Sequence, residues 1–431
     1  MTVTCDVLII GAGVVGCSIA RSLAREGLAT LNVDALPAAG YGSTSHSSAI
    51  VRPFYSHVTA AAVAHEARAR WLEWAEFLEA PRHSTLAHYT ESGGLVLVRA
   101  GEEAALEGNL SVLREIGVEY QELDADGVSA LYPGICLDTF GPPKLLQDDG
   151  FGEATGGHIA GGILIPAAGY VSDPQLAARN LMEAAQRAGA RFMFNARVDA
   201  IEQSAGVVTG VLLADGSRVS AGAVINAAGP HSSAVNDLVG LAGVPGLHTR
   251  AERHEVAYVP APTGYVEHGN GFVFDLDAGV YTRADGVDLL VGTADPPCDE
   301  PGVTDPDTDD GAFTEQWTVQ VYRAAQRFPK LDIPGQARGT VGIYDVSADW
   351  IPIYDKTDLA GYFVAIGTSG NQFKNAPVIG DLMASILGSS RAGVDHDTQP
   401  ATLRLPHLSR TVDLSFYSRH REIQQTRSVM A

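Results

Sequence analysis

The sequence predicts an α/β protein in which a Rossmann-like unit is interleaved with a β-rich α+β unit. Three observations predict it. Strand, glycine turn, helix and second strand follow one another within the first 34 residues. A second glycine-rich entry into a helix occurs near residue 370. Between them, residues 250–295 alternate strongly, the two-residue period of half-buried strands. Because α/β pieces occur at both ends and in the middle, the two domains interleave rather than follow in series. The division read from the chain places 1–85, 151–235 and 336–431 in the first domain, and 86–150 and 236–335 in the second.

Each element has its own signal. Asp6 to Ile10 reads as a short buried parallel strand. A helix follows with Val15, Ile19 and Leu23 on one face and Gly27 as its stop. Leu31 to Asp34 is a strand ending in an acid. Residues 58–80 read as one amphipathic helix and 90–98 as a strand. A glycine-rich stretch, 149–170, leads to Asp173 as N-cap and Pro174 as first helical residue, with Gly189 ending that helix. Strand-like pieces follow at 191–201, then a hairpin around Asp215-Gly216, then a strand ending at Asn226. Residues 296–311 read as an acidic, proline-rich loop and 313–328 as a helix. Residues 360–367 read as a last strand, followed by an apolar helix to Leu387 and an irregular tail of about 30 residues.

Composition bounds the function classes. The chain has 431 residues, 45% of them hydrophobic and 19% charged, which suits a globular protein of about two domains. No apolar run approaches the roughly 18 residues of a membrane span. No signal peptide is visible, so a cytoplasmic location is expected. A formal net charge of −22 disfavours nucleic acid and anionic lipid as partners. The four cysteines, Cys5, Cys17, Cys136 and Cys298, show no ligand spacing, so neither a metal site nor a disulfide framework is expected.

The chemistry begins at Gly11-Ala12-Gly13-Val14-Val15-Gly16. The first glycine permits a tight turn, the second a close approach to a pyrophosphate, and the third close packing of helix on strand. Asp34 lies 18 residues after Gly16, where an acid can accept from ribose hydroxyls. This unit specifies a dinucleotide site and leaves FAD and NAD open.

Three further segments carry a resemblance. They are GSTSHSSAIVR at 42–52, NAAGP at 226–230, and GTSGNQFK at 367–374 with Pro377 and Gly380. With the N-terminal fingerprint, they resemble the D-amino-acid-oxidase superfamily, most closely its sarcosine oxidase and dimethylglycine dehydrogenase branch. That resemblance implies an FAD-binding Rossmann-like domain of the glutathione-reductase type beside a substrate domain. It implies FAD held at Gly11, Gly13, Val15, Gly16, Asp34, Ser43, Thr44, Ser47, Val198, Gly229, Gly370, Gln372 and Lys374. It also implies Arg52 and Lys374 as the cations that hold a substrate carboxylate, with Tyr344 in the same pocket. His254 and Arg283 are further candidates for its wall. Ordinary readings stand beside these: Arg52 as a surface arginine, Lys374 as a solvated helix-start lysine, Tyr344 as a core aromatic, His254 as an exposed strand histidine.

The chain departs from that family pattern at several places. The position of the covalent flavin cysteine is Gly342, so FAD is expected to be non-covalent. The oxygen-activating lysine falls at Leu290, a pocket histidine at Ala294 and a pocket tyrosine at Thr282. An electron acceptor other than oxygen is therefore open, as is a charge supplied by His46, Arg283 or His254. The expected activity is FAD-dependent oxidation of a secondary or tertiary amine, an N-alkyl amino acid, with imine hydrolysis. A 2-hydroxy acid or larger amine as substrate, or a flavin-bearing subunit without turnover, are the alternatives. A homo- or hetero-oligomer is open.

Overall fold

A computed structural model describes residues 3–263, 265 and 271–424 of the chain. Positions 264 and 266–270, inside the stretch read as β-rich, and 425–431 of the tail lie outside the described residues.

The N-terminal unit forms as the sequence dictates: β1 (Val3–Ile10), α1 (Val14–Arg25) and β2 (Thr30–Val33), with β1 and β2 parallel. The four apolar residues that end β1 are buried on both faces of the sheet: Val7 and Ile9 share a core with Ile19 and Leu23 of α1, and Leu8 and Ile10 share one with Ile201, Val208 and Val211. Next come β3 (Ile50–Val51), α2 (Val58–Leu72) and α3 (Trp74–Phe77). The single helix expected at 58–80 thus breaks at Glu73, where the backbone leaves helical geometry and Trp74 packs on Trp71 at 4.2 Å. β4 (Tyr89–Thr90), β5 (Gly94–Arg99), α4 (Glu107–Glu115), β6 (Gln121–Asp124) and α5 (Ala125–Leu131) follow.

The glycine-rich stretch holds two strands, β7 (Ile159–Ile165) and β8 (Gly169–Val171), which its composition hides. Its glycines serve close backbone packing: a Cβ on Gly161 would sit 2.0 Å from the carbonyl oxygen of Leu123. α6 (Pro174–Arg187) starts where Asp173 accepts from Leu176 N at 2.8 Å. Then run β9 (Arg191–Met193), β10 (Val198–Ser204), β11 (Val207–Leu213), β12 (Arg218–Asn226) and α7 (Ser232–Asp237). The β-rich region is β13 (Arg250–Pro260), β14 (Phe272–Asp275), β15 (Val280–Asp285) and β16 (Asp288–Thr293), followed by α8 (Glu315–Arg327). The chain continues through β17 (Gly339–Val346), β18 (Ile353–Lys356), β19 (Tyr362–Ile366) and α9 (Ala376–Arg391). β19 is not the last strand. β20 (Thr402–Leu405) and β21 (Arg410–Asp413) form a hairpin in the tail read as irregular.

Two eight-stranded sheets result. The first has the path β10-β11-β12-β1-β2-β9, with β19 on β12 and β18 on β19. The second runs β17-β13-β16-β15-β14-β5-β7-β6. Residues 159–165 and 339–346, placed by the sequence division in the first domain, therefore pair in the second sheet. Helices α1 and α9 meet at backbone distance: a Cβ on Gly380 would be 2.3 Å from the carbonyl oxygen of Ser18. No helix among the described residues is long and apolar enough to cross a membrane.

Candidate active site

The glycine turn after β1 is built against β12. A Cβ on Gly11 (φ +115°) would lie 2.2 Å from the carbonyl oxygen of Ala227, and one on Gly16 at 2.2 Å from that of Gly11. Close backbone packing thus requires both glycines. Gly13 begins α1 with no side-chain cap, and Val14 N donates to Thr44 Oγ1 at 3.1 Å. Val15 is half-buried on the first turn. Asp34, just past β2, accepts from Ala12 N at 2.6 Å and Leu36 N at 2.8 Å. Burial pushes its carboxyl up, against those two backbone bonds. Ser43 donates to the carbonyl of Ile343, and Ser47 Oγ accepts from Ala49 N at 3.0 Å. Gly229 (φ +58°) lies three residues past β12, and Val198 begins β10, half-buried. A helix start whose N-cap residue is a glycine, beside an acid-ended strand, fits the pyrophosphate and ribose of FAD.

An open cavity with about 550 Å³ of empty volume lies where 47–52, the second sheet and the start of α9 meet. Arg52, Tyr344, Gly370 and Lys374 line it, with Ser47. The surface readings of the two cations do not hold: Arg52 is 5% exposed and Lys374 4%. Lys374 Nζ donates to Tyr55 Oη at 2.8 Å and to the carbonyl of Asn371. Arg52 donates to the carbonyl of Phe54 and lies 4.8 Å over the Tyr55 ring. Burial, reinforced by the Arg52 charge, holds Lys374 well below the usual lysine range. Among the described residues no carboxylate lies within ion-pair distance of Lys374. A buried ammonium in that state is stabilised by an incoming anion.

The remaining candidates sit elsewhere. His254 is half-buried and stacked on Tyr344 (3.9 Å between centroids), 3.6 Å from Asp295 and 3.8 Å from Glu252, behind the cavity wall. Burial pushes the Asp295 carboxyl up to about 6, opposed by His254. Arg283 lies over the Tyr170 ring at 4.3 Å and pairs with Asp285 at 3.3 Å. Gln372 turns from the cavity to Tyr354 and Asn375, and its neighbour Asn371 lines the wall instead. The tyrosine position is corrected by one residue: Tyr281 lines the cavity, whereas Thr282 bonds Tyr265 in the other core. A one-residue offset on a strand exchanges faces. Leu290, opposite Arg283, is buried.

Sequence reasoning missed Tyr55, Phe272, Phe274, Asn371 and Phe373 in this site. Phe272 and Phe274 were legible as one face of an alternating strand, yet nothing local says which face meets a cavity. Among the described residues no metal-like cluster occurs at the cavity. The three groups close enough for one, Asp358, Asp397 and His420, are surface residues, and the two acids already pair with Arg419.

A family profile described as "FAD dependent oxidoreductase" (DAO) matches residues 6–386. The chain is 28% identical over 284 residues to a D-amino acid dehydrogenase of Cereibacter sphaeroides, covering 54% of this chain and 61% of that protein. It is 29% identical over 134 residues to a monomeric sarcosine oxidase of Bacillus sp. (strain B-0618), covering 31% and 33%. The matches thus span less than two thirds of either relative's length. The crystal structure of L-proline dehydrogenase from P. horikoshii superposes with a TM-score of 0.76 at 19% identity, covering 98% of each chain. At that identity the likeness is one of fold.

Proposed function

The chain belongs to the DAO family of FAD-dependent oxidoreductases, and on that premise we propose that it oxidises a C–N bond of an N-alkyl amino acid. The observation that carries this reading is the buried pair Arg52 and Lys374 on one wall of an aromatic-lined cavity. Two cations suit a carboxylate that must leave water to enter. Gly11, Gly13 and Gly16 would hold the pyrophosphate of FAD, and Asp34 the ribose. When bound, FAD supplies the acceptor for the hydride lost from the carbon beside the amine nitrogen.

The chain's residues supply position and environment. Arg52 and Lys374 bind the carboxylate and so fix the amine's place in the cavity. Tyr55 and the Asn371 carbonyl orient the Lys374 ammonium. Phe272, Phe274, Tyr281, Tyr344 and Phe373 exclude water around the neutral amine. The imine product then hydrolyses in water to a carbonyl compound and a shorter amine.

The test is anaerobic bleaching of the flavin by a panel of N-methyl and cyclic amino acids, followed by air. Bleaching by one or more members is expected. Fast recovery in air makes the enzyme an oxidase, and slow recovery a dehydrogenase using another acceptor. No bleaching by any member overturns the amino-acid reading.

A further inference from the structure

Two rings of the cavity wall rest on glycines of neighbouring strands. Phe272 on β14 stands opposite Gly94 on β5, and Tyr281 on β15 stands opposite Gly292 on β16. A Cβ on Gly94 would lie 2.2 Å from Cζ of Phe272, and one on Gly292 would lie 2.4 Å from Cζ of Tyr281. Real Cβ atoms do not approach so closely. Neither glycine has a positive φ, so the backbone at both places accepts any ordinary residue. The ring above each one is what a side chain would meet first. Tyr281 is also held at its far end, its hydroxyl 2.7 Å from Ser48 Oγ.

Each ring therefore lies back across its neighbouring strand. A methyl group at either glycine would lift the ring off the sheet, into the space that both rings line. At Gly292 the tilt would also break the bond to Ser48. Glycine inside a strand weakens the sheet, so empty space above it marks a place where something must approach closely. Here what approaches is the cavity's own wall, and the room gained belongs to the cavity.

We infer that Gly94 and Gly292 set the width of the cavity, and that its substrate carries a bulky apolar group, a ring or an aromatic substituent, beside the carboxylate. This rests on the reading of the cavity as the site of a carboxylate-bearing amine. A small substrate has no use for the depth that the two glycines open. An apolar ring fills the room left where Phe272 and Tyr281 lie back over the two glycines, and its burial there adds to the charge contacts at Arg52 and Lys374.

The experiment titrates the flavin absorbance of the holoprotein with two carboxylates that cannot be oxidised at an amine, acetate and phenylacetate. In the parent protein phenylacetate binds more tightly. In Gly292→Ala and Gly94→Ala, phenylacetate loses about tenfold or more relative to acetate, the scale of a misplaced methylene in a pocket. Tyr281→Leu in the Gly292→Ala background restores it. Equal weakening of both ligands, or an unchanged ratio, overturns the inference. Tyr281→Leu alone removes the ring and leaves the strands intact, and it shifts the ratio further toward phenylacetate. A shift toward acetate overturns the inference even where Gly292→Ala does not fold. A parent protein whose spectrum answers to neither carboxylate overturns the reading of the cavity itself.

Discussion

Lys374 is an amine held out of water beside a guanidinium; burial and that charge both disfavour its proton, which an arriving anion would stabilise. Lys374→Met is expected to raise the KM for a carboxylate substrate about 10- to 100-fold, the scale of a lost charged hydrogen bond. An unchanged KM, with unchanged FAD affinity, would remove Lys374 from the site. Because its proton is held less tightly than in free lysine, carboxylate binding should weaken as pH rises through the lowered value. Asp345 is the second residue with a clear consequence. Its Oδ2 accepts from Gly367 N at 2.6 Å and Ser232 Oγ at 3.1 Å, joining the segments after β12 and β19. Burial pushes its carboxyl up from 3.8 to about 6. A raised value favours the folded state below about 3.8, and that contribution is lost as pH rises through about 6. Asp295 titrates in the same window. Thermal unfolding of Asp345→Asn should therefore show a flatter pH dependence between these limits, by on the order of 2–3 kcal/mol.

Among elements, α6 starts where its local signals put it, because a cap and a proline act within four residues. Asp173→Ala should lower stability by about 1 kcal/mol, measured by urea unfolding, without moving KM. The hairpin of β20 and β21 depends instead on distant partners. His407 in its turn bonds Glu66 of α2 through Nδ1 at 2.8 Å and Glu73 through Nε2 at 3.2 Å. These carboxylates raise the His407 pKa, Glu66 first, so its contribution to stability is full below the ordinary histidine value and is lost as pH rises through the raised one. His407→Gln should lower Tm clearly at pH 6 and much less at pH 9. An equal loss at both would assign the hairpin's anchorage to packing alone.

At the scale of the whole molecule, the C-terminal segment closes on the first sheet. Arg419, 2% exposed on its side chain, pairs with Asp355 at 3.0 Å and with Asp358 and Asp397 at 2.7 and 2.8 Å. Just before it, Phe416 and Tyr417 share a small cavity with Tyr55, the residue that holds Lys374. Arg419→Ala leaves Asp355 buried without its counter-charge and should cost about 3–5 kcal/mol in chemical denaturation. The sheets themselves interleave more finely than composition reveals. β7 lies in glycine-rich sequence that resembles a loop, yet it sits between β5 and β6.

By itself, the sequence determined several features that depend on neighbours along the chain. The β1-α1-β2 unit, the Asp173 cap, the hairpin at Asp215-Gly216 and the glycine fingerprint are local patterns with local causes. It also named Arg52, Tyr344 and Lys374, but through the order of segments that resemble a family and not through any property of those residues alone. Tertiary structure decided what joins parts distant in sequence. It decided that Tyr281 and not Thr282 faces the cavity, because strand register is set by partners across the sheet. It placed His254 behind Tyr344 and turned Gln372 away from the wall. It brought Arg52 and Lys374 together across 321 intervening positions of chain. The physical reason is the same throughout: helices, caps and turns are set within a few residues, whereas a cavity is the space left between faces that meet only when the chain has folded.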